Sequence, residues 1–211
     1  MDAARIAELL LPFTAPQTLS PTLLAQLQSY LDLLLRWNAR INLTAVREPE
    51  RIVTRHFGES LFAAQLLLSD HNGAPKSRTL ADVGSGAGFP GIPMKLFAPE
   101  LALALIESQN KKAAFLREVI RTLHLDDAEV FCGRAERWGK TADLVTLRAV
   151  EHFQRALPVA AELVAPAGRL CLLIGAGQIP TVRQLMGASW TFREPLPVPQ
   201  SIGRVVLVGK R

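Results

Sequence analysis

The chain has 211 residues, 49% hydrophobic and 20% charged, and its Lys and Arg outnumber Asp and Glu to give a net charge of +5. That length suits one domain with a sizeable core and a small extension, and no apolar run reaches the roughly 18 residues of a membrane span. The opening "MDAARIAELLLPF" has no signal-peptide cleavage pattern, and two cysteines do not make a disulfide framework; a cytoplasmic protein with reduced thiols at Cys132 and Cys171 is expected. Most of the positive charge falls after residue 75, although Arg36, Arg40, Arg47, Arg51 and Arg55 face only Glu48 and Glu50 in the earlier part. Such charge permits a nucleic-acid partner without establishing one.

Ser20-Pro21 reads as a helix start, an oxygen-bearing cap followed by proline in the first turn. Leu24, Leu27, Leu31, Leu34 and Leu35 then recur at helical spacing. A second helix is expected from Pro49 to Leu68, with Ile52, Phe57, Leu61, Ala64 and Leu68 inward. "SDHNGAPKS" (69–77) breaks the pattern. Residues 1–76 therefore read as a helical N-terminal cap, and 77–211 as one compact α/β unit.

Beyond the break, apolar runs alternate with helical periods. Strands are expected at Thr79–Val83, Leu101–Glu107, Glu129–Cys132, Leu144–Leu147 and Arg169–Ile174, with helices near Ile92–Phe97, Gln109–Leu123, His152–Leu163 and Thr181–Met186. That alternation predicts a mostly parallel, doubly wound sheet of the Rossmann type. "WTFREPLPVP" and "GRVVLVGKR", joined by a turn at Gln200–Gly203, read as an antiparallel hairpin on its edge.

"LADVGSGAGFPGIP" (80–93) is the first place where chemistry is legible. Gly84, Gly86 and Gly88 make a GxGxG loop after a strand, suited to S-adenosylmethionine, while Gly86 to Gly91 also spells the dinucleotide fingerprint GxGxxG. Three features favour the first ligand. Asp82 stands on the strand, where a carboxylate suits an aminoacyl ammonium. Pro90 and Pro93 remove N–H donors that a pyrophosphate would use. The terminal hairpin suits a methyltransferase sheet. Glu107 ends the second strand, where its carboxylate fits ribose hydroxyls. Four scattered histidines and two separated cysteines give no metal-ligand spacing.

The methyl acceptor is narrowed by what is missing. "TLRAV" (146–150) lacks the Asn/Asp-Pro-Pro-aromatic loop of amine methylation, and neither cysteine follows a proline as cytosine C5 chemistry needs. A lone pair that attacks without prior deprotonation, such as guanine N7, needs positioning rather than a base.

"WNARINLT" (37–44), "RHFGES" (55–60), "DVGSGAGFPGIP" (82–93), "ESQNKKAAFLREV" (107–119), "GRAE" (133–136) and "LRA" (147–149) stand in order along nearly the whole chain. In these segments it resembles the bacterial 16S rRNA guanine-N7 methyltransferase G family, also called glucose-inhibited division protein B. The resemblance implies a Rossmann-type methyltransferase with a helical cap that uses S-adenosylmethionine, releases S-adenosylhomocysteine, and methylates a guanine in 16S rRNA of the small ribosomal subunit. It implies that Gly84 and Phe89 line the cofactor, Glu107 holds the ribose, Ala135 and Glu136 meet the adenine, and Arg148 contacts the cofactor or the target nucleotide as the catalytic-site arginine. A monomer without metal is expected. Where the family often has a lysine, this chain has Ile174, which shifts the expected RNA grip to Lys111, Lys112 or Arg36. Trp37, Asn38 and Asn42 are expected to dock the cap, the alternative being a part of the RNA surface, and His56 to be a hydrogen-bonded structural residue, the alternative being contact with the target base. The same fold acting on a protein or small molecule, or serving as a non-catalytic ribosome-assembly module, is the alternative.

Overall fold

The computed structural model describes residues 1–68 and 79–211. The break at 69–77 and the boundary expected at 76/77 fall outside them. The N-terminal part is helical: α1 (Ala3–Thr14), whose Asp2 cap accepts the Arg5 N–H, and α2 (Pro21–Asn38), whose Ser20 cap accepts that of Leu23. The sequence pattern gives no separate element for α1, because Pro12 interrupts its period. On α2 the expected face is turned slightly. Leu27, Leu31 and Leu34 are buried with Leu23 and Tyr30, whereas Leu24 and Leu35 are half-buried.

The helix expected over 49–68 is three pieces: α3 (Pro49–Ile52), a π-helical segment (Val53–Gly58) and α4 (Glu59–Leu68). A π turn admits extra residues into the coil and rotates every side chain that follows it. Accordingly Leu67, not Leu68, is buried, and His56 and Glu59 turn inward.

The remaining elements are β1 (Thr79–Val83), α5 (Gly91–Phe97), β2 (Ala102–Glu107), α6 (Asn110–Leu123), β3 (Ala128–Cys132), β4 (Ala142–Arg148), α7 (Phe153–Glu162), β5 (Val164–Gly175), α8 (Ile179–Met186), β6 (Thr191–Phe192), β7 (Leu196–Pro197) and β8 (Arg204–Lys210). The sheet runs β3-β2-β1-β4-β5-β8-β6, with β7 also on β8. β1 to β5 are parallel; β8 is antiparallel to β5. The expected terminal hairpin therefore exists, but its second arm lies inside the sheet and its first is split into β6 and β7. Pro195, Pro197 and Pro199 deny that arm a continuous row of N–H donors, which confines it to short edge pairings.

Helices cover both faces. α7 and α8 cover one around Leu157, Val182 and Leu207. On the other, the N-terminal helices share a core with α5 and α6, where Leu27, Tyr30 and Phe57 meet Phe89, Ile92 and Phe115. Tyr30 stacks between Phe57 and Phe89 at 5.3 and 5.4 Å. Trp37 docks the cap, its indole N–H donating to Glu118 on α6 at 3.1 Å and its ring meeting Phe115 edge-on.

Candidate active site

In a sheet of this order the crevice opens beyond the carboxyl ends of the strands, where chain direction across the sheet reverses between β1 and β4. Val83, Glu107, Cys132 and Arg148 end their strands at that edge. The segment from Gly84 to Pro90 bridges it and forms the floor of a cleft of about 820 Å³.

The loop is pinned from below. Gly84 and Ser85 N–H groups both donate to Ile106 O at the end of β2, at 2.9 and 3.1 Å, and Ser85 Oγ donates to Asp82 O at 2.7 Å. Gly84 has φ +68°, and a Cβ there would stand 2.6 Å from Val150. Gly88, at φ +89°, lies against Ile92 and the Tyr30 hydroxyl, which itself donates to Ala87 O. Only glycine suits both positions. Glu107 ties the loop to the next strand: Oε2 accepts from Gly86 N at 2.9 Å and Oε1 from Gln109 N at 2.7 Å. The carboxylate is buried apart from its cleft-facing side, so it is oriented before any ligand arrives.

Asp82 stands on β1 as the sequence reading expects, but its side chain does not face the cleft. It lies beneath the loop, fully buried and off the cleft wall, with Oδ1 accepting from Thr146 Oγ1 at 2.8 Å and Oδ2 from Gly91 N at 3.2 Å. Burial raises its pKa from 3.8 to about 6 against the lowering effect of those donors. In this arrangement it braces β1, β4 and the start of α5. Gly88 is likewise behind the wall. Gly84, Gly86, Phe89, Glu107, Ala135, Glu136 and Arg148 do share the one cleft, together with Arg134 and Lys112. Of the other RNA candidates, Lys111 and Arg36 are exposed but off the cleft wall, and Ile174 is buried in β5.

The opposite wall comes from the N-terminal part. Asn38 folds 39–44 around its amide: Oδ1 accepts from Leu43 N and Thr44 N at 2.9 and 3.0 Å, and Nδ2 donates to Thr44 O. That places Thr44 beside His56, which the π segment turns inward onto the Phe89 ring at 4.8 Å. Arg148 reaches across from β4, and its Nη2 meets Arg55 O at 2.9 Å, His56 Nδ1 at 3.0 Å and Glu59 Oε2 at 3.1 Å. Glu59 is buried between two arginines, with Arg204 2.7 Å from its other oxygen. A buried carboxylate in that position offsets part of the cost of burying Arg148. Desolvation, reinforced by Arg148, lowers the His56 pKa from 6.5 to about 2, so the ring is neutral.

Sequence reasoning passed over Thr44, Tyr30 and Glu59, and gave His56 a hydrogen-bonded structural part, with contact to the target base as the alternative. Thr44 and Glu59 do lie within segments that stand out, "WNARINLT" and "RHFGES". Their inward direction depends on the π turn and the Asn38 loop. Asn42 does not dock the cap; it is exposed, 3.5 Å from Arg47. Cys171 is buried, and its thiol is pushed up to about 12; Cys132 Sγ meets Asn110 at 3.0 Å. Among the described residues no group of three His, Cys, Asp or Glu stands close enough to hold a metal ion.

Comparison with known proteins adds to this geometry. A family model described as rRNA small subunit methyltransferase G matches residues 23–190. The chain is 40% identical over 196 residues to the ribosomal RNA small subunit methyltransferase G of Xanthomonas euvesicatoria, covering 91% of this chain and 88% of that one. Among solved structures it resembles the ribosomal protein L11 methylase of Lactobacillus delbrueckii, with a TM-score of 0.60 and 15% identity over 74% of this chain and 78% of that one. It also resembles M. jannaschii TYW2 in complex with AdoMet, with a TM-score of 0.57 and 14% identity over 81% and 77%. At those identities the two structures speak to the fold, that of Rossmann-like methyltransferases.

Proposed function

This chain belongs to the rRNA small subunit methyltransferase G family and is an rRNA methyltransferase; from that premise we propose that it methylates N7 of one guanine in 16S rRNA, with S-adenosylmethionine as donor. The observation that carries the reading is a single cleft whose two walls differ in kind. One is a glycine floor closed by the Glu107 carboxylate, with Gly133 to Glu136 beside it. The other is cationic and aromatic, with Arg55, His56, Phe89, Arg148 and Arg155.

The first wall fits the donor. Glu107, held by Gly86 N and Gln109 N, keeps lone pairs on the cleft side that accept from ribose hydroxyls, and the segment around Ala135 and Glu136 offers backbone groups to an adenine. Bound there, S-adenosylmethionine supplies a methyl group to an attacking lone pair, its methyl–sulfur bond breaking as the new bond forms and neutral S-adenosylhomocysteine remaining.

The second wall fits the acceptor. Guanine N7 attacks without losing a proton, so the chain supplies position rather than a base. Phe89, buried and stacked on Tyr30 and His56, backs the junction of the walls and fixes the His56 ring there. Arg148 is anchored through one nitrogen only; among the described residues no partner is recorded for Nε or Nη1, which leaves them for an anionic or carbonyl group in the cleft. Arg55, Arg155, Arg134 and Lys112 place positive charge round the mouth, which suits the phosphates of an RNA strand. The partner in this reading is the small ribosomal subunit, met in the cytoplasm by a monomer.

Glu107→Ala tests the donor half. S-adenosylmethionine affinity, measured by titration calorimetry, is expected to fall by about tenfold or more as two oriented acceptors are lost, with a cooperative melting transition retained. Unchanged affinity would remove Glu107 from the site.

A further inference from the structure

Hydrogen-bond directions around Thr44 follow from the tautomer that His56 holds. Arg148 Nη2 stands 3.0 Å from His56 Nδ1, and a guanidinium nitrogen only donates. Nη2 has two hydrogens for three acceptors, Arg55 O, Glu59 Oε2 and Nδ1. A proton on Nδ1 would point at that donor with no acceptor among the described residues, so the arrangement favours the tautomer with Nδ1 bare and the proton on Nε2. In that tautomer Nε2, 2.9 Å from Thr44 Oγ1, donates to it. Val46 N–H donates to the same oxygen at 3.1 Å. Both lone pairs of the Thr44 hydroxyl are thus occupied from behind. Its one remaining capacity is to give its own hydrogen, for which no acceptor is recorded among the described residues. Thr44 is only half-buried and lies on the cleft wall with His56, Phe89 and Arg148.

A wall group locked as a donor distinguishes one purine from the other. Guanine and adenine offer the same N7 lone pair, but beside it guanine carries the acceptor O6 and adenine the donor N6 amine. We propose that Thr44 selects guanine over adenine by donating its hydroxyl hydrogen to O6 of the target base, its direction set by the relay from Arg148 through His56. The inference rests on the guanine-N7 reading above. A donor facing a donor leaves both unpaired in a desolvated cleft, and such mismatches discriminate far better than a missing contact between apolar groups.

Two measurements decide it. Imidazole nitrogen NMR on the full chain is expected to show His56 protonated on Nε2 and bare on Nδ1. A proton on Nδ1 would overturn the relay. The second measurement compares the wild type with Thr44→Val and Thr44→Ser on small subunits rebuilt with either guanine or 2-aminopurine, which keeps N7 and lacks O6, at the position the wild type methylates. The wild type and Thr44→Ser are expected to prefer guanine by about tenfold or more in kcat/KM, and Thr44→Val to treat the two within about twofold. All three should bind S-adenosylmethionine with similar affinity, because Thr44 lies on the acceptor wall. Thr44→Val that still prefers guanine as the wild type does would overturn the proposal. If that variant fails to fold, the imidazole spectrum decides. No N7 methylation of natural subunits by the wild type would instead remove the reading beneath it.

Discussion

Asp82 shows how burial gives a carboxylate a pH signature. Its pKa in the folded chain is about 6 against 3.8 when free, so folding favours the protonated form. The favourable contribution is complete below pH ~4 and is lost as pH rises through about 6, to the extent of roughly 3 kcal/mol at about 1.4 kcal/mol per unit. Asp82→Asn has no charge to lose. The stability of the wild type relative to this variant, from denaturant unfolding, is therefore expected to decline between pH 4 and 7; a constant difference would contradict the buried placement. This residue also shows what a sequence can and cannot tell. Glu107 is legible because a carboxylate at a strand's carboxyl end, 21 residues after Gly86, has only one cleft to face. Asp82 is one pleat from the same edge, and its direction depends on Thr146 across the sheet and Gly91 beyond the loop, partners that no local pattern names. The position of Arg148 at the carboxyl end of β4 is legible in the same way, but its pairing with Glu59 is not, for the same reason.

The elements that build the site divide in the same way. The five parallel strands follow from apolar runs, and their observed ends differ from the expected ones mainly where pairing such as Ala142 with Val164 extends the ladder beyond the apolar core. The π segment could not be read, because an i→i+5 turn has no residue signature of its own. Yet it decides which of Arg55, His56 and Glu59 enters the cleft. The likeness in "RHFGES" marked the segment without explaining it. α2 is the second element whose effect is felt at a distance. Its Tyr30, buried among Phe57, Phe89 and Phe115, donates to Ala87 O in the glycine loop, so the helical cap holds the cofactor floor in place. Tyr30→Phe keeps the ring and removes that bond, leaving a buried carbonyl unpaired. Stability is expected to fall by about 1–3 kcal/mol, and S-adenosylmethionine affinity several-fold with it. A loss of stability with cofactor affinity untouched would mean the loop holds its shape without α2.

At the scale of the whole molecule, the donor wall of the proposed reading comes from the sheet part, whereas its acceptor wall is assembled from both parts of the chain. The sheet supplies the glycine floor, Glu107 and Arg148; the N-terminal part supplies Thr44 from the loop after α2, and Arg55 and His56 from the π segment. Their common core, and the ion pairs from Glu59 to Arg148 and Arg204, join those parts beside the cleft. This is why the acceptor wall, unlike the donor wall, was only faintly visible in the sequence: it exists where distant segments meet. The net charge of +5 suits a polyanionic partner, and in the proposed reading the arginines round the cleft meet the RNA. The most direct test of the account is nucleoside mass spectrometry of 16S rRNA after the protein and S-adenosylmethionine are incubated with small subunits from cells lacking this activity. The account predicts new 7-methylguanosine at one position. A methyl group on any other atom, or none while the donor still binds, would contradict it.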